Sequence, residues 1–82
     1  MYNLGKILTD TLENLKWYER IKRLRKFHDW SIKKAADKCI TTQKAWWNWE
    51  NGKVIPTKRN RKLIASIFGV DMKIIFGEIS LF

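Results

Sequence analysis

The stretch Ser31-Ile32-Lys33-Lys34-Ala35-Ala36-Asp37-Lys38-Cys39-Ile40-Thr41-Thr42-Gln43-Lys44-Ala45-Trp46-Trp47-Asn48-Trp49-Glu50-Asn51-Gly52-Lys53 decides how this chain is read. Its apolar positions recur every three or four residues, the spacing of one helix face. Ser31 is a good N-cap for a short helix running to about Lys38, with Ala35, Ala36 and Cys39 as small inward positions that suit a tight crossing. Thr42 can cap a second short helix through Gln43, Trp46 and Trp49, which Asn51-Gly52 ends in a left-handed turn. The turn between the two is only about three residues, which satisfies the geometry of a helix-turn-helix.

Upstream, Leu4, Leu8, Leu12 and Leu15 form one apolar stripe. A second runs from Trp17 through Tyr18, Ile21, Leu24 and Phe27 to about His28-Asp29. The two predict one long helix or two abutting ones. Downstream, Thr57 can cap a further helix whose buried side is Leu63, Ile64, Ile67 and Phe68, stopped by Gly69. Asp71 caps a last one with Met72, Ile75 and Phe76, closed at Gly77 and followed by the apolar tail Ile79, Leu81 and Phe82. Strand-like alternation, repeats and low-complexity segments are absent, so the chain reads as all-α.

At 82 residues there is room for a single small core. Apolar residues make up 45% and charged residues 30%, with four glycines and one proline, a balance that predicts order nearly throughout. The formal charge of +9, from 17 Lys and Arg against 8 acids, favours an anionic polymer or surface as partner. Residues 38–62 concentrate it: Lys38, Lys44, Lys53, Lys58, Arg59, Arg61 and Lys62 stand there against one acid, Glu50. A single cysteine, Cys39, forms no internal disulfide, and no Cys/His cluster suits zinc. The first fifteen residues lack a secretory leader pattern, and no apolar run approaches the roughly eighteen residues of a membrane span. The expectation is a soluble, cytoplasmic protein.

The residues Trp30-Ser31 through Trp49-Glu50-Asn51-Gly52-Lys53, then Pro56, Phe68-Gly69-Val70 and Ile75-Phe76-Gly77, resemble the Cro/cI-type (XRE-like) phage repressor family. Arg20-Ile21-Lys22-Arg23-Leu24-Arg25 is similar to that family's first helix. The resemblance covers roughly residues 17–78, and Trp-Glu-Asn-Gly-Lys is its most specific piece. It implies a five-helix lambda-repressor-like bundle that binds operator DNA as a homodimer to regulate transcription, associated with the nucleoid and needing no cofactor. Residues 1–16 become an N-terminal helical extension, 17–78 the DNA-binding domain and 79–82 a tail.

Carried over residue by residue, the family's base-reading positions fall on Gln43, Lys44 and, one turn later, Asn48. Their chemistry agrees: Gln or Asn can bond an adenine edge in two places, and Lys donates to guanine acceptors. Thr41, Thr42, Asn51, Lys53 and the basic cluster around Lys58, Arg59 and on to Lys62 stand where the family contacts phosphates, and all are donors. Each of these also has a plainer reading, as a solvated polar residue or, for Asn51-Gly52, a helix stop. The family also pairs an acid at the position of Glu50 with an arginine that aligns with Arg25, a structural pair.

Trp46, Trp47 and Trp49 cannot all face one side of a helix. With Trp46 and Trp49 inward, Trp47 points out, toward a DNA sugar-phosphate or into a protein interface. Two departures bear on site geometry. Ile32 replaces the glutamine that the family carries to brace its first reading residue. Ile40 stands where the family turn often has glycine; a β-branched side chain resists positive φ, so a rearranged turn is expected.

His28 and Cys39 read as a helix-end residue and core filler rather than a catalytic couple, and no phosphate loop or carboxylate cluster suggests chemistry. The expectation is no enzyme, no metal, no membrane and no small-molecule substrate. The stripe at residues 1–15 exceeds what one small core needs, so either a dimerisation arm or a first helix folded on its own bundle accounts for it. Two rivals remain: a protein-interaction module such as an antitoxin or adaptor, using Trp47 and the apolar tail, and charge-driven binding to nucleic acid or anionic membrane without sequence choice.

Overall fold

A computed structural model describes residues 12–77 and residue 79. Among these, all regular structure is helical: α1 (Trp17–Phe27), α2 (Ile32–Lys38), α3 (Gln43–Glu50), α4 (Lys58–Phe68) and α5 (Met72–Phe76). The expected N-caps accept from the backbone they precede: Ser31 from Lys34 N at 3.0 Å, Thr42 from Ala45 N at 3.0 Å, Thr57 from Asn60 N at 3.2 Å and Asp71 from Lys73 N at 2.8 Å. Each satisfies an amide that the helix start would otherwise leave without a partner.

The first four helices end in one way. At α1, Trp30 N bonds Arg25 O and Asp29 N bonds Lys26 O; the same crossed pair recurs as Thr41 to Ala36 with Ile40 to Asp37, Lys53 to Asn48 with Gly52 to Trp49, and Val70 to Ala65 with Gly69 to Ser66. This Schellman arrangement requires a left-handed residue just past the C-cap. Asp29, Ile40, Gly52 and Gly69 supply it, with φ of 59°, 53°, 67° and 67°. Ile40 therefore overturns the expectation that its branched side chain would rearrange the turn. The turn keeps its left-handed residue, and the backbone carries the strain. Gly77, by contrast, closes α5 in a right-handed conformation.

Leu12, Trp17, Ile21 and Leu24 share one core cluster with Trp46, Ile64, Phe68, Ile75 and Phe76. α2 packs on α3, α3 on α1, and α5 on both α1 and α4. Ala35, Ala36 and Cys39 are buried on α2, while α3 contributes Trp46 and Trp49, so small and large side chains meet where two short helices cross. A stacked group of His28, Trp30 and Phe68, with centroids 4.6 to 5.7 Å apart, ties the α1–α2 junction to the end of α4.

Three expectations change. α1 begins afresh at Trp17, because Lys16 takes an extended N-cap conformation (ψ 158°) and its amide donates to Glu19 Oε1 at 3.1 Å; of the two sequence readings, one long helix is overturned and a break between two segments is left. Arg20 holds the interruption, donating to Glu13 O, Leu15 O and, across the bundle, Ile74 O at 2.9 Å. Leu12 is buried in the core and Leu15 packs partly buried against it, whereas residues 1–11 of the proposed arm, Leu4 and Leu8 among them, lie outside the described residues. On α4, Ala65 and Arg61 are buried, and Leu63 and Ile67 are only partly so. In the tail, Ile79 packs partly buried against the core; Leu81 and Phe82 lie outside the described residues.

Candidate functional site

α3 is seated by its inward side chains. Trp46 is fully buried, Trp49 nearly so, and the Trp46 indole N–H donates to Glu50 Oε2. Glu50, itself only 6% exposed, receives Arg25 Nε at 2.5 Å and Arg25 Nη2 at 3.1 Å, while Arg25 Nη1 donates to Trp30 O at 2.9 Å. The structural pair expected from the sequence is therefore formed. The carboxylate has three donors, enough to offset part of the cost of removing it from water.

The outward face follows from the inward one. At about 100° per residue, Lys44, Trp47 and Asn48 lie on the side away from Trp46 and Trp49, with Gln43 at its edge, about 60° from Trp46. Gln43 and Lys44 are exposed, Asn48 is partly buried and Trp47 is 46% exposed. The three residues expected to read bases thus stand on one helix face, and Trp47 points outward beside them. No acid is present in the first turn of α3, leaving the positive end of its dipole uncompensated by charge.

The remaining positions surround this face on other elements. Thr42 is exposed, with its hydroxyl oxygen engaged as the cap; Thr41 is partly buried. Asn51 is exposed and donates from Nδ2 to Trp47 O at 2.8 Å, so its side chain closes α3 with one amide hydrogen and keeps a second to donate. Lys53 is exposed in the loop after α3. Lys58 and Arg59 belong to the first turn of α4, where with Lys62, Leu63 and Ser66 they line a shallow groove of about 530 Å³.

Arg61 leaves the basic cluster. It is 8% exposed, and Nη1 donates to Pro56 O at 2.7 Å, which fixes the end of the α3–α4 loop from inside. The spacing signal was present: residues 61, 64, 65 and 68 fall on one helix face, and the buried trio Ile64, Ala65 and Phe68 extends back to it. Ile32 is partly buried against the core.

Cys39 is buried, and desolvation pushes its thiol up to about 11, so it stays protonated at neutral pH. Among the described residues, no group of three His, Cys, Asp or Glu side chains could hold a metal ion, and no helix is long and apolar enough to cross a membrane. Comparison with protein-family models, with curated proteins and with solved structures returned no match.

Proposed function

We propose that this chain is a sequence-specific double-stranded DNA-binding regulator of the helix-turn-helix, lambda-repressor-like type. In this reading α3 lies in the major groove, Gln43, Lys44 and Asn48 read base edges, and Thr41, Thr42, Asn51, Lys53, Lys58 and Arg59 anchor the phosphates. A homodimer presents two copies of α3 to half-sites about one helical turn apart. Regulation follows from where the protein sits on DNA, with no cofactor, in the cytoplasm at the nucleoid.

One observation carries the reading. α3 has a single carboxylate, and that one is buried and paired with Arg25, so the outward face offers bonding groups and positive charge with nothing to repel phosphate. The net charge of +9 adds long-range attraction.

The experiment is selection of bound duplexes from a random pool, followed by competition with random DNA. Specific binding survives excess competitor; binding driven by charge alone does not. Gln43→Ala and Lys44→Ala relax preference at particular base pairs, whereas Lys53→Ala weakens all sequences alike. Equal losses across all three variants would refute the assignment.

A protein-interaction module is the second reading, favoured by Trp47, Val54 and Ile55, all about half exposed on α3 and the loop after it. Failure to select any duplex, together with a stable complex with another protein, supports it instead.

A further inference from the structure

The outward face of α3 holds one side chain that neither hydrogen-bonded base reading nor phosphate anchoring explains. Trp47 lies about 40° around the helix axis from Gln43 and about 60° from Lys44, nearer the middle of that face than Gln43. Its direction is imposed from behind: Trp46 and Trp49 are locked in the core, and Glu50 is held by Arg25 and by the Trp46 indole, so α3 cannot roll to bury a third indole. The last turn is fixed as well, because Trp47 O accepts from both Asn51 N and Asn51 Nδ2.

An indole carries one N–H and a broad apolar surface, a poor match to a charged phosphate that lysine or arginine serves better. Base edges in the major groove present one apolar group, the 5-methyl of thymine. We propose that Trp47 is a specificity-determining residue that packs against thymine methyl groups between the positions read by Gln43 and Lys44 and the one read by Asn48. This rests on the DNA-binding reading above and replaces the sugar-phosphate role expected for Trp47 from sequence. The chain then prefers thymine at one or two positions for an apolar reason, independent of the hydrogen bonds its neighbours make.

The test uses the full chain and the duplex recovered from the random pool, with each thymine replaced in turn by deoxyuridine, which removes only the methyl. The wild-type protein loses about three- to fivefold in affinity at one or two thymines, the worth of one buried methyl. Trp47→Gln is insensitive to the same replacements, and Trp47→Phe keeps part of the sensitivity. Unchanged melting of both variants shows that the fold is intact. The inference is overturned if no thymine is sensitive, or if Trp47→Gln weakens thymine and deoxyuridine duplexes equally, the signature of a backbone contact. It is also overturned if Trp47→Gln alters self-association in sedimentation and leaves DNA affinity untouched. Recovery of no preferred duplex at all overturns the DNA-binding reading itself, a result distinct from the other three.

Discussion

Arg25 reaches Glu50 across the bundle with two guanidinium nitrogens, Nε 2.5 Å from Oε2 and Nη2 3.1 Å from Oε1, and so joins the last turn of α1 to the last residue of α3. Both partners are largely shielded from water, at 11% and 3% side-chain exposure. Such a pair adds little over an apolar replacement, but removing one member strands the other charge. Glu50→Ala should therefore cost about 3–5 kcal/mol in urea unfolding, and the double change Arg25→Met with Glu50→Leu should recover part of it, short by the roughly 1–3 kcal/mol of a buried Trp46 N–H left without its acceptor. A double variant as unstable as the single one would show that the geometry of the pair, not its isolated charge, holds α3.

Ile40 is 88% exposed and left-handed, so it contributes strain without compensating burial. Ile40→Gly should raise stability by about 0.5–1 kcal/mol, the left-handed cost of roughly 1–2 kcal/mol less the extra chain entropy of glycine. Thermal unfolding reads the sign directly, and a lowered melting temperature would mean that the turn tolerates the side chain.

Gly52 and Gly69 share φ of 67° but not surroundings. A Cβ on Gly52 would lie 3.0 Å from Tyr18 Cδ1, whereas one on Gly69 would meet nothing within 4 Å. Gly69→Ala should cost about 1–2 kcal/mol for the backbone alone. Gly52→Ala should cost more, the difference measuring how firmly the Tyr18 ring is held; equal urea midpoints would show the ring free to step aside.

The Cys39 thiol has the opposite character from a reactive one. Because burial raises it from 9.0 to about 11, the neutral form is favoured by the folded state. Its contribution to stability is complete below pH 9 and is lost as pH rises toward 11. Cys39 should react with a thiol reagent at neutral pH only as fast as the chain opens, and Cys39→Ala should flatten the alkaline fall in stability. Rapid labelling of the folded protein would contradict this.

If the phosphate assignments hold, Lys58→Ala and Arg59→Ala should each reduce the slope of log K against log salt by about 0.9. Arg61→Ala should leave that slope alone and lower stability instead, since its guanidinium serves Pro56 O. A slope change from Arg61 would place it at the anion after all.

Much of this architecture is readable without coordinates, because it rests on local chemistry. Ser31, Thr42, Thr57 and Asp71 cap through their own side chains, and Gly52 and Gly69 stop helices because backbone geometry there favours them. The sides taken by Trp46, Trp47 and Trp49 follow from helix spacing alone. What escapes is set from a distance. The break at Lys16 contains no glycine or proline and is held by Arg20 reaching to Ile74 O. The inward turn of Arg61 contradicts its charge, and the stack of His28, Trp30 and Phe68 joins residues far apart in the chain. Ile40 shows a propensity outweighed: the crossed hydrogen bonds closing α2 offset the cost of an unfavourable dihedral.

The seating of α3 is uneven along its length. Its buried residues, Trp46, Trp49 and Glu50, begin only at the fourth position, and the exposed first two, Gln43 and Lys44, stand beside the Thr42 hydroxyl that caps the helix start. The helix is thus a peg driven in from its fourth residue onward, with two side chains left clear at its free end to meet a contoured surface. Amide hydrogens in the trailing half should outlast those of the leading turn in exchange, and occupation of the free end should narrow that gap.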